Sequence, residues 1–164
     1  MINVFSSIYL RSFIFGFEDS LVSTVGLLSG IAFAGITARE IILTGTVLVF
    51  VEAFSMGVSM YLSENSIEEY EAQALVSKKK SLISGVITFL SYCLAGFSVL
   101  LPYIIFSTKT ASVFSILIAF ILLFALGWSS GKISKISPLK KALTMVTVGG
   151  LATLIGVGVG YLFS

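Results

Sequence analysis

The stretch Phe13–Gly35, FIFGFEDSLVSTVGLLSGIAFAG, is an apolar segment of membrane length that keeps two adjacent carboxylates, Glu18 and Asp19, inside its first third. About 20 apolar residues in a helix span a bilayer core. A charge held at depth costs at least about 2.5 kcal/mol, so an embedded acid needs a partner charge, a water-filled cavity or a bound cation. The alternative places Glu18 and Asp19 at the headgroups, with the helix starting at Ser20. Only Leu21–Ile36 would then cross, which is short for a span. The embedded placement is therefore preferred.

The rest of the chain belongs to the same solvent. Of its 164 residues 57% are hydrophobic and 11% charged, and the mean hydropathy is +1.08. Soluble domains carry about 25% charged residues, so this is an integral membrane protein with a single membrane domain over residues 1–164. Cys93 is the single cysteine, which excludes an intrachain disulfide framework and a cysteine metal cluster. There is no histidine, hence neither the commonest transition-metal ligand nor the commonest general base. No Ser/His/Asp, P-loop or zinc pattern occurs, so neither an enzyme nor a bound cofactor nor a nucleic-acid partner is expected. The N-terminal MINVFSSIYLRSFIFG does not read as a cleavable signal, because Arg11 interrupts it and no small-residue cleavage site follows.

Five spans are expected, over residues 13–36, 41–62, 82–105, 111–128 and 142–163. Met1–Ser12 reads as a short interfacial segment with Phe5, Ile8 and Tyr9 on one face. Along the first span Gly26, Gly30 and Ala34 recur every fourth residue, the spacing that lets helices approach closely, within one chain or between two. GVGVG at Gly156–Gly160 lacks the context of a nucleotide fingerprint and reads as another packing face. Cys93, among apolar neighbours, reads as core filler. Trp128, Tyr103 and Tyr161 fall near span boundaries, as interfacial aromatics do.

The second span carries another embedded acid in EAFSMGVSMYLSE. On a helix Glu52, Met56 and Met60 step four residues at a time, with Ser55, Ser59 and Ser63 beside them. A carboxylate with thioethers suits a divalent ion of intermediate softness such as Fe²⁺ or Mn²⁺, although methionine in such a helix commonly serves packing. An unpaired carboxylate out of water favours its proton. A cation arriving there displaces protons, which is a physical basis for metal–proton exchange. Ser63–Lys80, SENSIEEYEAQALVSKKK, has neither proline nor glycine and can extend the second helix over residues 63–80. Glu64, Glu68 and Glu71 would share a face there, either as a solvated helix end or as a cation-collecting mouth.

Together FGFEDSLVSTVGLLSGIAFAG and EAFSMGVSMYLSENSIEEYEAQ resemble the vacuolar iron transporter family. The resemblance implies a five-helix homodimer that exchanges cytosolic Fe²⁺, and often Mn²⁺, for protons along a path at the dimer interface. It places the family's first-helix aspartate on Asp19 and its second-helix methionine on Met56. The chain departs from the family pattern at Ser20, where glycine is frequent, and at Leu48, where plant-type members carry an acid; Glu52 lies one turn away. The large cytosolic metal-binding domain is reduced to Ser63–Lys80.

The expectation is an all-α, five-span, dimeric exporter of divalent metal ions, coupled to protons, in the cell membrane. Asp19 and Met56 are the first ligands, Glu52, Glu18 and Met60 support them, and Glu64, Glu68 and Glu71 load the ion. A non-transporting scaffold that docks partners through its glycine stripes is the alternative. Orientation follows from the basic residues. With the N-terminus inside, Arg11, Lys78, Lys79, Lys80, Lys132, Lys135, Lys140 and Lys141 face the cytosol and only Arg39 and Lys109 face out. A reporter fused after Ser164 should therefore be extracytosolic and one inserted near Gln73 cytosolic; both on one side would remove the five-span topology.

Overall fold

The computed structural model describes residues 4–164, with side chains from residue 7 onward, so the face on which Phe5 of the interfacial segment would lie is outside what it describes. The described residues fold into five helices: α1 Val4–Phe33, α2 Ala38–Ala72, α3 Lys79–Ile105, α4 Thr108–Ile133 and α5 Pro138–Leu162. All five contain windows long and apolar enough to cross a membrane. Helices are what a bilayer imposes, because every backbone N–H and C=O must be satisfied inside the segment. This is the all-α architecture expected, and the protein is a multi-pass integral membrane protein.

The helix ends follow local chemistry. Gly35 has φ +83° and closes α1 with a Schellman pair, in which Ile36 N donates to Ile31 O (3.2 Å) and Gly35 N to Ala32 O (3.2 Å). Thr37 then caps α2. Its hydroxyl accepts from Glu40 N at 3.4 Å while its own N–H donates to the Glu40 carboxylate at 3.2 Å. The polar TARE break is thus a stop followed at once by a start. α2 does run on as an extension, but it stops at Ala72 rather than Lys80, where Gln73 turns left-handed and donates its side-chain N–H to Tyr70 O. α1 begins at Val4, well ahead of Phe13, so it does not start at Ser20 and Asp19 stands at the middle of its thirty residues.

α1 is the most buried helix and packs against the other four, whereas α5 is the least buried. Its face toward α3 is small and polar: Ser12, Gly16 and Ser20, all buried, recur every fourth residue. Thr88 Oγ1 donates to Ser12 O (3.3 Å) and Ser20 Oγ to Tyr92 O (2.7 Å). Gly26 and Gly30 lie instead on α5, at Ala152, Gly156 and Gly160, so this glycine stripe is spent within one chain. Tyr103 is not an interfacial anchor. It is 2% exposed, and its hydroxyl donates to Ser112 Oγ at 3.2 Å between α3 and α4. Trp128 remains partly exposed, stacked on Phe124 with Lys132 over its ring.

A Cβ at Gly156 would stand 1.9 Å from Gly26 O, a backbone atom that cannot swing away, while a Cβ at Gly158 meets nothing within 4 Å. Gly156→Val should cost at least about 2 kcal/mol and visibly lower the melting temperature in detergent micelles. Gly158→Ala should leave it unchanged or slightly raised; equal effects of the two would contradict this α1–α5 contact.

Candidate metal site on the first and second helices

Asp19 of α1 and Glu52 of α2 are each half-buried, and they lie within electrostatic reach of one another. Two like charges at the middle of a bundle repel unless a proton or a cation lies between them. Met56, half-buried, follows Glu52 by one turn on α2. Asp19 also stands at one end of a groove of about 650 Å³ between α1 and α5, lined beyond Ser23 mainly by glycine and apolar side chains and reaching Ile36 and Phe163. Tyr92 of α3 is fully buried beside the same acids, and its hydroxyl is 2.8 Å from Ser23 Oγ.

Other expected site residues fall elsewhere. Successive side chains on a helix diverge by about 100°, and Glu18 accordingly leaves Asp19. It lines two adjoining cavities, of about 450 and 460 Å³, against α4 and α5, where Lys141 is its opposite charge. Met60 turns into the packed face of α2 that also holds Gly57 and Glu64. The Glu52–Met56–Met60 line therefore drifts by about 80° over its two steps, from the half-buried flank of α2 into its buried face.

The glutamates of the α2 extension are engaged unequally. Glu64 is buried and ion-paired with Arg11 of α1. Glu68 pairs with Lys80 at the start of α3 and accepts from Ser81 Oγ at 3.2 Å. Glu71 is exposed on a cavity of about 810 Å³ shared with Glu68, Lys79 and Lys80. Two of the three acids thus tie the extension to the helices beside it. Among the described residues no three His, Cys, Asp or Glu side chains converge as a metal-binding group.

Ser20, Ser23 and Tyr92 are the neighbours that motif reading missed. The available signal was Tyr92 itself, a hydroxyl-bearing ring at the middle of an apolar span, where interfacial placement cannot explain it.

The model of the VIT family, the vacuolar iron transporters, matches residues 10–83 and 72–161. No curated protein matches the chain.

Arg11→Gln should strand the buried Glu64 carboxylate and lower stability by about 1–2 kcal/mol, less than for a fully buried pair because Arg11 is half in solvent. Arg11→Gln/Glu64→Gln should recover most of that loss in a thermal melt. A double variant worse than the single would rule out the pair as the link between α1 and α2.

Proposed function

The chain belongs to the VIT family, and on that premise we propose that it exports divalent metal ions, Fe²⁺ and Mn²⁺ foremost, from the cytosol in exchange for protons. The family is one of membrane metal-ion transport and not of enzymes. The observation that supports the finer reading is that Asp19, half-buried at the middle of α1, lies within electrostatic reach of Glu52, half-buried on α2. With Met56 they form a mixed oxygen and sulfur set suited to an ion of intermediate softness. Carboxylates screened from water favour protons, and a divalent cation displaces them; the same groups hold one or the other, which couples the two fluxes.

The half-buried acid pair and the exposed Ser55 and Ser59 next to it support a homodimer. A second copy laid over this side would shield the acids from lipid and supply the remaining ligands. Glu18, beside Lys141, and Met60, in the packed face of α2, stand apart from this set. The α2 extension loads the ion: Glu71 meets it first, and Glu68 and Glu64 join when Lys80 and Arg11 release them. The scaffold alternative is less favoured, since Gly26, Gly30, Gly156 and Gly160 already pack on one another within the chain.

Asp19→Asn keeps the size of the side chain and removes its charge. In proteoliposomes it should abolish Fe²⁺ flux and metal-driven proton movement together, with insertion and assembly intact. Wild-type rates of both in the purified variant would remove Asp19 from the ion path.

A further inference from the structure

Two carboxylates on different helices can share one ion only if something holds the helices in register. In this bundle α3 does so at one level. Tyr92, fully buried at the midpoint of α3, grips α1 at two points on the side that carries Asp19. Its backbone carbonyl accepts from Ser20 Oγ at 2.7 Å, next in sequence to Asp19. Its phenol oxygen shares a hydrogen bond of 2.8 Å with Ser23 Oγ, one turn beyond Asp19 and on the same groove. One turn further along α3 is Gly96. A Cβ there would stand 2.5 Å from Val49 Cγ2 of α2 and 2.9 Å from Ser20 Oγ of α1. Val49 precedes Glu52 by one turn, so α1 and α2 both bear on the Tyr92–Gly96 turn immediately beside their acids.

We propose that Tyr92 is a positioning residue for the ion site. Its hydroxyl, through Ser23, fixes the rotation of α1 that turns Asp19 toward Glu52. It acts on the cation through Asp19 without touching it. The ring fills the space between the helices, and the hydroxyl sets the angle. This rests on the transport reading above, and Mn²⁺ serves as the probe for both.

Mn²⁺ binding to purified protein, counted by loss of the free-ion paramagnetic resonance signal, should weaken about tenfold in Tyr92→Phe, the effect typical of losing a partner behind a metal ligand. Proteoliposome uptake should show the same rise in KM with maximal flux within about twofold. Ser23→Ala should reproduce the loss, and Ser23→Thr, which retains the hydroxyl, should restore affinity. The double variant should be no weaker than either single, because both remove one bond. If Tyr92→Phe does not accumulate, Ser23→Ala and Ser23→Thr decide alone. Wild-type Mn²⁺ affinity in the folded variants, with at most a lower melting temperature, would overturn the positioning role and leave the transport reading standing. A wild-type protein that neither binds nor moves Mn²⁺ would remove both.

Discussion

Everything in this bundle depends on how closely α1 approaches its neighbours. Lipid is as apolar as leucine, so burial of side chains does not drive these helices together; packing and interhelical hydrogen bonds do. α1 meets that condition with two faces of small residues. Ser12, Gly16 and Ser20 admit α3, while Gly26 and Gly30 admit α5 to within backbone contact. The consequence is a central helix able to carry polar groups at depth, because its serines and Asp19 look onto protein and a groove.

The same contacts explain why two adjacent acids have different settings. Once α1 is clamped by α3 and α5, its rotation is determined, and Glu18 and Asp19 must face different partners. Asp19 shares a groove with Ser23 and lies within electrostatic reach of Glu52, while Glu18 has Lys141 as its opposite charge. At the end of the bundle where α1 begins, the pairs Arg11–Glu64 and Glu68–Lys80 bind the long α2 extension to α1 and α3. These charges make the extension part of the bundle up to Glu68, and beyond it Glu71 is free of that packing.

Much of this was legible in the residues. Five apolar runs, separated by TARE, by the lysine run at Lys78–Lys80 and by Pro138, mark five helices because a bilayer permits little else. The apolar context of Asp19 and Glu52 was legible too, as acids that each span carries well inside its helix. What was not legible is what depends on rotation and on distant partners. Spacing aligned Met60 with Glu52 but cannot tell that α2 turns Met60 inward. Glu64, Glu68 and Glu71 share a helical face in sequence, yet Arg11 and Lys80 approach from helices far along the chain and engage only two of them. Tyr103 looked like a boundary aromatic because its depth was read from span ends, whereas its hydroxyl finds Ser112 across a turn. In the second half motifs are sparse, yet the VIT match extends through it.

The central claim is that one acid pair inside the membrane holds either metal or protons and thereby couples their movement. Proteoliposomes of the wild-type protein with equal Mn²⁺ on both sides and an acidic lumen test it most directly. The account predicts that the outward proton gradient alone draws Mn²⁺ into the lumen, above its starting level, and that collapsing the gradient releases it. Mn²⁺ that equilibrates across the membrane without regard to the pH difference would contradict it.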